Sequence, residues 1–388
     1  MNIGLFTDCY FPSRNGVVSS LAQLKEALEK RGHNTSVFTV RHPADSGGAP
    51  GVHTFASLPF RADIDLRLGL PGYRKALALA RHEKLDLVHS HTEFTLGWLG
   101  RQVARKLNVP HVHTCHTLFE EYRHYSMLTQ WLPRAVIRKS LKNFLFGVDA
   151  VICPSGKMQQ YLSGFVPNLN SVVIENGVDE KRFMPVPVGD PDAASLKRQY
   201  GIARSDRVIL FIGRLGREKR VMQLLQHLSG LLRQNSEYKL VLVGGGPLKT
   251  KLLRSARDSG IETQLVLTDY VDWSQVPSFY SMSDVFISHS LSEVCPMTLI
   301  EACMCGIPVV ARRDAALEPM VRDGFNGFLV DEDELAVERI SFLLENDDRR
   351  NEMSGNSVTH SRRFTIDHCS ENVDKLYQHL VQTGSLQK

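Results

Sequence analysis

The sequence lacks the features that define several classes of protein. It has no apolar run long enough to span a bilayer, and Asp8 and Pro12 interrupt any apolar leader at the start. Its seven cysteines form no C-x-x-C pair, so neither a zinc ribbon nor a dithiol redox couple is indicated. Repeats and low-complexity segments are absent. We therefore expect a globular protein, made and kept in the cytoplasm, whose thiols are buried and free.

Signatures of several enzyme classes are also missing. No G-x-S-x-G elbow occurs, which argues against a serine hydrolase of that type. Residues 244–249 read GGGPLK, which fails both the spacing of a Walker loop and that of the G-x-G-x-x-G dinucleotide fingerprint. Three acidic clusters, at residues 63–65, 190–192 and 331–333, are interpreted as solvated turns and not as metal ligands.

The segment HTCHT at residues 113–117 raises two further possibilities. Cys115 and His116 could form a thiol nucleophile with its base, but adjacent residues of a strand point to opposite faces. The same alternation argues against a zinc site made by His113 and His116, which are three positions apart. We interpret His116 as a polar residue that lines a sugar or acceptor site, and we expect no metal.

Length and charge suggest two domains with different surfaces. A chain of 388 residues exceeds the size at which a single core usually stops growing. Residues 1–178 hold 20 Lys and Arg against 13 Asp and Glu, whereas residues 179–388 hold 26 against 29. A basic first half is typical of a protein that meets an anionic partner, either a nucleic acid or a membrane surface.

Short apolar runs alternate with helical stretches through both halves. This alternation predicts an α/β protein with two doubly wound parallel sheets. Strands are expected at 3–6, 36–40, 86–90, 111–114, 150–153 and 172–174, and again at 208–212, 239–243, 265–267, 285–287, 309–311 and 328–330. The turn signal at 176–179 places the boundary between a domain of residues 1–178 and one of residues 179–365. Two such domains would place their strand ends at a shared cleft.

The stretch SLSEVCPMTLIEACMCGIPVVA, residues 290–311, indicates a ligand site. Pro296 suits the start of a helix, which leaves the amides of Met297, Thr298 and Leu299 free to face an anion. Glu293 would lie in the preceding loop, and Glu301 just inside the first turn. Acidic helix starts are common for electrostatic reasons alone. The whole order of loop Glu, Pro, helix, Glu and Gly-x-Pro is nevertheless typical of a sugar-nucleotide site, with its phosphates and hydroxyl groups.

Other strand ends carry residues suited to the same ligand. Arg214 and Lys219 follow the first strand of the second half, where two cations could stabilise a departing diphosphate. Gly245 lies in a glycine loop after the next strand, and glycine permits close approach of a ligand. Gly16 follows the first strand of the chain, either as a phosphate contact or as part of a plain turn.

Residues 131–148 combine an apolar helical face with a basic edge. Arg134, Arg138 and Lys142 recur every fourth residue, and Lys139 lies beside them. This pattern is typical of a helix on an anionic lipid surface, and also of a packed helix with a solvated edge. The excess of basic residues in the first half favours the interpretation that this helix lies on a membrane surface.

Several motifs follow one another along the chain: TDCYFPSRNGV, HTCHTLFEEYRHY, IENGVD, GRLGREK, VGGGP and the stretch from Glu293 to Glu301. Together they resemble glycosyltransferase family 4, whose members are retaining enzymes with the GT-B architecture, and the resemblance spans nearly the whole chain. Within the family, the first two motifs are most similar to those of bacterial diacylglycerol glucosyltransferases. The residues Val294 to Met297 depart from the family pattern, which usually has small residues after the first Glu.

The resemblance implies a GT-B fold with two Rossmann-like domains that face a central cleft. The first would bind the acceptor and the second the nucleotide sugar, and residues 366–388 would form a helix crossing back to the first domain. The resemblance implies that Glu301 binds the ribose hydroxyls, and that Glu293 and the amides of residues 297–299 contact the sugar. It implies that Arg214, Lys219 and Gly16 bind the diphosphate. The backbone of Val271 would contact the base, and His116 would line the donor sugar and the acceptor.

The sequence thus predicts a retaining hexosyltransferase that moves glucose from UDP-glucose to a membrane lipid such as 1,2-diacylglycerol. No second carboxylate suggests double displacement, so the donor phosphate is expected to take the acceptor proton. No cofactor, metal or nucleic acid is expected, and the protein should lie on the inner face of the cell membrane. The alternatives are a transferase acting on a soluble saccharide or polyol, a GT-B sugar-nucleotide epimerase, or a binding module without catalysis.

Overall fold

The computed structural model describes residues 1–44, 49–60, 67–70, 72–118, 120, 133–187 and 189–384. The chain divides into two compact units, and each contains a parallel sheet covered by helices. Unit 1 comprises residues 1–177 with 366–388, and unit 2 comprises residues 178–365. The predicted α/β class is confirmed. No helix of the described residues has the length and apolar character required to cross a membrane.

The first part of unit 1 contains nine strands and five helices among its described residues. The strands are β1 (Asn2–Thr7), β2 (Asn34–Val40), β3 (Val52–Phe55), β4 (Ser57–Pro59), β5 (Arg67–Gly69), β6 (Leu87–Ser90), β7 (His111–Thr114), β8 (Ala150–Cys153) and β9 (Ser171–Val173). The helices are α1 (Gly16–Lys30), α2 (Tyr73–His82), α3 (Thr95–Leu107), α4 (Arg134–Leu145) and α5 (Gly156–Ser163).

Seven of these strands form a parallel sheet in the order β3-β2-β1-β6-β7-β8-β9. Both faces of this sheet are buried, so every residue of β6, β7 and β8 is buried without alternation, including the histidines of β6 and β7. Ile3 and Leu5 of β1 pack into one core, and Phe6 packs into the other, stacked on Phe38 at 4.3 Å between ring centroids. The predicted strands of this half are all present. Strand β3 and the antiparallel pair β4-β5 are additional.

Unit 2 repeats the architecture with six parallel strands. They are β10 (Arg207–Ile212), β11 (Tyr238–Val243), β12 (Leu265–Leu267), β13 (Val285–Ser288), β14 (Val309–Arg312) and β15 (Gly327–Val330). The helices are α6 (Pro191–Gln199), α7 (Val221–Gln234), α8 (Lys249–Asp258), α9 (Val276–Ser281), α10 (Met297–Met304), α11 (Asp333–Glu345) and α12 (Asp347–Ser361).

The strand order of unit 2 is β12-β11-β10-β13-β14-β15, so the direction of winding reverses between β10 and β13. These two strands pair in parallel through Ile209 with Val285 and Leu210 with Phe286. Connections that leave neighbouring strands toward opposite faces open a crevice at their carboxyl ends. The loops that carry Lys219 and Glu293 leave the sheet at this point.

The last helix, α13 (Ile366–Thr383), belongs to unit 1 and packs against α1. Its residues Val373, Tyr377 and Leu380 are buried in the core that contains Ile3 and Leu5. The Tyr377 hydroxyl lies 2.5 Å from Nδ1 of His89 on β6. The end of the chain therefore completes the core of the first sheet.

Glycines allow the loops after β10 and β11 to interlock. The amide of Leu215 donates to the carbonyl of Gly245 at 2.9 Å, and the amide of Leu248 donates back to Leu215 at 3.1 Å. Gly244 has φ +130°, and a Cβ there would lie 2.2 Å from the carbonyl oxygen of Gly213. A side chain at position 244 would therefore separate the two loops.

Gly244→Ala should destabilise the protein by about 2–3 kcal/mol, because the methyl group overlaps backbone that cannot move without breaking the loop contacts. Gly230→Ala is the matched control. Gly230 lies within α7 and has nothing within 4 Å of its Cβ position. Its replacement should stabilise the protein by about 0.5–1 kcal/mol. Urea unfolding followed by circular dichroism measures both values, and an unchanged Gly244→Ala midpoint would contradict the steric argument.

Candidate functional site

Two of the predicted residues of unit 2, Lys219 and Glu293, meet at the carboxyl ends of β10 and β13. Lys219 ends a short 3-10 turn, Arg217–Lys219, and Glu293 lies in the loop after β13. The Nζ atom of Lys219 lies 2.5 Å from Oε1 of Glu293, and their side chains are 20% and 10% exposed. Two residues 74 positions apart therefore form a largely desolvated ion pair, in which a charge-assisted hydrogen bond is strong.

Arg214 lies in the same loop as Lys219 and is partly buried. Its neighbours on both sides are anchored to β11 and the loop after it, since Gly213 donates to Val243 and Leu215 donates to Gly245, each at 2.9 Å. The backbone of Arg214 is therefore held at the carboxyl ends of β10 and β11, close to the turn that carries Lys219.

Glu218 adds a third charged group that the sequence analysis missed. Burial raises the pKa of its carboxyl group, Lys219 lowers it, and Glu293 raises it again. Its Oε2 atom is buried and has no hydrogen-bond partner among the described residues. The only feature of the sequence that could have indicated Glu218 is its position directly before Lys219. When ionised, Glu218, Lys219 and Glu293 carry one net negative charge, which Arg214 in the same loop balances.

The start of α10 corrects two details of the sequence analysis. Pro296 is the N-cap, and the helix begins at Met297, so Glu301 opens the second turn and does not lie inside the first. The amide of Leu299 donates to the carbonyl of Pro296 at 3.2 Å, so it is not free, as the sequence analysis expected it to be. The amides of Met297 and Thr298 have no backbone acceptor among the described residues, as expected for a first turn.

Glu301 is buried, with 4% of its surface exposed. The hydroxyl of Tyr280 donates to its Oε2 at 2.7 Å and also approaches the carbonyl of Thr298 at 3.0 Å. Burial raises the pKa of Glu301 to about 7, while the Tyr280 hydrogen bond and the charge of Arg182 oppose the shift. The Arg182 guanidinium lies 3.5 Å from the ring centre of Trp273. Glu293 and Glu301 thus have separate partners.

Val271 lies in a loop that is tied to the glycine loop. The amide of Gly244 donates to the carbonyl of Asp269 at 2.9 Å, and Asp269 has φ +62°. A Cβ on Gly245 would lie 2.4 Å from the ring of Tyr270. The contact with Tyr270 is therefore sufficient to explain why position 245 is a glycine, and it brings Val271 beside the loop of β11.

In the acidic cluster at 331–333, Asp331 and Glu332 are exposed as predicted, but Asp333 is buried and is not part of a solvated turn. Its carboxylate oxygens lie 2.7 Å from Arg220 and 2.7 Å from Arg312. Burial acts to raise the pKa of Asp333, but His289, Arg220 and Arg312 lower it overall. Arg220 directly follows Lys219 and has φ +51°, so Asp333 braces the turn that carries Lys219.

In unit 1, Asn15 and Gly16 begin α1. The side chain of Asn15 accepts a hydrogen bond from the amide of Val18 at 3.0 Å, which makes it the N-cap. Gly16 is exposed, and a Cβ there would have no atom within 4 Å. The packing of unit 1 would therefore accommodate a larger side chain at position 16, and steric crowding within the unit does not explain the glycine there.

His116 belongs to a group of histidines near the ends of β6 and β7. Its Nε2 lies 3.1 Å from Nδ1 of His91, and their rings are stacked. Burial and the neighbouring His113 lower the pKa of His116 to about 3, so the imidazole is neutral at physiological pH. A neutral ring can line a polar site as donor or acceptor, but it does not supply a positive charge.

The basic helix is α4, and its predicted apolar face is largely buried through Leu141, Phe144 and Leu145. Arg138 donates to Glu120 at 2.6 Å, and Arg134 lies 3.6 Å from the same carboxylate. Lys139 and Lys142 are exposed. Several predicted features fall outside the described residues: Trp131, most of the EEYRHY segment and the acidic pair at 63 and 65.

Replacement of Glu301 by Gln should make stability less dependent on pH. The raised pKa means that wild-type stability is full below the ordinary carboxyl pKa and is lost as the pH rises through about 7. The free energy of unfolding of Glu301→Gln relative to wild type should therefore rise by about 2–3 kcal/mol between pH 5 and pH 8. Urea unfolding across this range tests it. Exposed Glu237→Gln is the control, and parallel pH profiles for all three proteins would contradict the assignment.

Comparison with solved structures identifies the architecture. Sucrose-phosphate synthase from Thermosynechococcus elongatus superposes with a TM-score of 0.79 at 20% identity, covering 99% of this chain and all of that one. Anabaena HepE, solved in complex with UDP-glucose, superposes with a TM-score of 0.78 at 20% identity, covering 98% and 100%. The two parallel-sheet units thus have the GT-B fold, as the sequence predicted.

Sequence comparison identifies the family. Residues 14–182 match the model for Glycosyltransferase Family 4, and residues 192–359 match that for Glycosyl transferases group 1. The alpha-monoglucosyldiacylglycerol synthase of Streptococcus pneumoniae is 33% identical over 330 residues, which cover 85% of this chain and 75% of that protein. The synthase of the same name from Acholeplasma laidlawii is 26% identical, over 99% and 98% of the two chains. The chain therefore belongs to glycosyltransferase family 4.

Proposed function

We propose that this protein is a retaining hexosyltransferase that moves glucose from UDP-glucose to 1,2-diacylglycerol and forms an α-glycosidic link. The observation that carries the proposal is the Lys219–Glu293 pair beside the start of α10, in a chain 33% identical to an alpha-monoglucosyldiacylglycerol synthase. The name of that relative specifies a glucosyl group and diacylglycerol. The structurally similar HepE was solved with UDP-glucose, which supports the choice of donor.

Unit 2 is proposed to bind the nucleotide sugar. Glu301, presented by Tyr280, would accept hydrogen bonds from the ribose hydroxyls, and the backbone of Val271 would contact the base. Arg214, Lys219 and the amides of Met297 and Thr298 would bind the diphosphate. In the free protein Lys219 neutralises Glu293, so its movement onto a phosphate would leave the Glu293 carboxylate to accept hydrogen bonds from the sugar.

The proposed chemistry needs stabilisation of a leaving group. When the bond between the glucose C1 atom and the donor phosphate breaks, negative charge gathers on the departing diphosphate. Fixed cations in a desolvated site stabilise that charge more strongly as it develops. The acceptor hydroxyl would attack from the face that the phosphate leaves and pass its proton to a phosphate oxygen, which retains the anomeric configuration. Because Arg214 and Lys219 supply the positive charge, no metal is required for this step.

The acceptor is proposed to bind unit 1, at a membrane surface. Lys139 and Lys142 of α4 are exposed, and Val136 and Phe146 expose 46% and 74% of their surface at the two ends of this helix. Exposed cations beside apolar side chains suit the boundary of an anionic bilayer. We therefore propose a peripheral location on the inner face of the cell membrane.

A soluble polyol acceptor is the second candidate. The D-inositol 3-phosphate glycosyltransferase of Corynebacterium kroppenstedtii is 28% identical over 324 residues, which cover 79% of this chain and 70% of that protein. The lower identity makes this alternative weaker than the lipid acceptor. A sugar-nucleotide epimerase remains distinguishable by its activity without any acceptor.

Incubation with UDP-glucose and anionic vesicles that contain diacylglycerol should yield α-glucosyldiacylglycerol and UDP in equal amounts, with an unchanged initial rate in excess EDTA. Mass spectrometry and the anomeric proton coupling identify the product. Vesicles without diacylglycerol are the control. Transfer only to inositol phosphates, a β-linked product, or a changed sugar in the absence of acceptor would each contradict the proposal.

Lys219→Ala should lower kcat by about 100- to 1000-fold, the range observed when a group that stabilises transition-state charge is removed. The thermal midpoint should fall by a few degrees, because the change leaves the largely buried Glu293 carboxylate without Lys219, so the activity is compared at a temperature where both proteins are folded. Lys251→Ala on the exposed side of α8 is the control and should retain full activity. A Lys219→Ala enzyme that turns over at the wild-type rate would exclude the proposed role.

A further inference from the structure

A buried group of three potential ligands lies at the carboxyl ends of β6 and β7 in unit 1. Glu93 follows β6 by three residues, His113 lies in β7, and Cys115 directly follows that strand. The candidate ligand atoms of the three side chains all lie within 4.8 Å of one another. We propose that Glu93, His113 and Cys115 form a binding site for a divalent transition-metal ion, with zinc the best match to their chemistry.

The fold explains why these residues meet. His113 and Cys115 are two positions apart along an extended segment, so they share a face, whereas His113 and His116 do not. Strands β6 and β7 pair in parallel with Ser90 opposite His113, which places the loop after β6 above that face. The sequence analysis rejected a metal site made by His113 and His116, and the structure instead brings His113 together with Cys115 and Glu93. His116 instead contacts His91.

The donor atoms suit a tetrahedral ion. A thiolate, an imidazole nitrogen and a carboxylate oxygen are the three ligand types of protein zinc sites, with bonds of about 2.0–2.3 Å. Such bonds imply ligand-to-ligand distances of roughly 3.3–3.6 Å. His113 Nε2 already lies 3.1 Å from Oε1 of Glu93. Small side-chain rotations would bring the sulfur into range, with a fourth position open to water.

A histidine that binds a metal usually makes a hydrogen bond through its other ring nitrogen, and Ser90 can provide that bond for His113. Its hydroxyl lies 2.8 Å from Nδ1 of His113 and 2.8 Å from Nε2 of His111. In the free protein Nε2 of His113 donates to Glu93 and Nδ1 accepts from Ser90. With an ion bound, the hydroxyl would accept from Nδ1–H of His113 and donate to His111, which leaves Nε2 with a lone pair for the ion. A hydrogen bond of this kind orients the ring and selects the tautomer that can bind a metal.

The charge balance also favours an ion at this site. His113 and Cys115 have 0% and 1% exposure, and the Glu93 side chain is 9% exposed. A divalent cation bound by a thiolate, a carboxylate and a neutral imidazole forms a complex with no net charge, and the thiol proton leaves to solvent as the ion binds. A neutral complex is the form that a buried site tolerates.

An ion could reach the site through an adjacent cavity. Glu93 lines a cavity of about 370 Å³ together with Phe94, Thr95 and Trp98. The cavity meets the proposed site at Glu93, and so it offers an ion an entry path to that residue. All of these residues belong to unit 1, and none is among the residues proposed to bind the donor.

Cobalt and zinc titrations of the full-length, untagged protein test the site after the protein has been stripped with a chelator. Zinc should bind at one equivalent, as measured by elemental analysis after gel filtration. Cobalt should produce a thiolate-to-metal charge-transfer band and the visible bands of tetrahedral coordination. Glu93→Gln and Cys115→Ser should weaken zinc binding by about 100-fold or more, and Ser90→Ala by about 10- to 100-fold, in competition with a chromophoric chelator.

Cys369→Ser is the control, because Cys369 is a partly buried thiol on α13 of the same unit. It should bind zinc like the wild type. A stoichiometry far below one equivalent, a cobalt spectrum without the thiolate band, or undiminished binding by Cys115→Ser would each overturn the proposal. Should the variants fail to fold, the wild-type stoichiometry and cobalt spectrum decide it. None of these measurements uses glycosyl transfer, so their failure would leave the proposed function standing.

Discussion

The parallel pairing of β10 with β13 is the constraint on which the candidate donor site depends. Ile209 opposes Val285 and Leu210 opposes Phe286, so loops far apart in the chain leave the sheet side by side. The ion pair of Lys219 with Glu293 exists because of this pairing. Asp333, at the start of α11, then holds Arg220 and Arg312 and braces the Lys219 turn from behind. Local helix and strand preferences alone would produce none of these contacts.

The second feature of unit 2 is how it places buried charge. Lys219 compensates Glu293, two arginines compensate Asp333, and Glu301 has a tyrosine hydroxyl and a more distant cation. Burial of an uncompensated carboxylate is costly, which explains why the pKa of Glu301 is raised. A ligand that brings hydroxyl donors to Glu301 and an anion to Lys219 would satisfy both groups, and a nucleotide sugar carries both.

Unit 1 uses the equivalent position of its own sheet in a different way. Its winding reverses between β1 and β6, and there Asp8 accepts hydrogen bonds from the hydroxyl of Thr92 and the amide of Leu96. Beyond this link, the ends of β6 and β7 carry neutral histidines and the Glu93, His113 and Cys115 cluster. The same topology therefore supports an ion pair in one unit and a buried cluster of histidines, a thiol and a carboxylate in the other.

The sequence by itself determined the α/β class, all the predicted strands and the helix that begins after Pro296, because apolar runs, turn residues and caps act over short distances. Strand β3 and the pair β4-β5 are short and only partly buried, so their pattern was too weak to predict. Which charges meet was decided by the tertiary structure alone: Glu293 with Lys219, Glu301 with Tyr280, Asp333 with two arginines, and Glu93 with His113. Such contacts depend on strand order and on burial, which local periodicity does not specify.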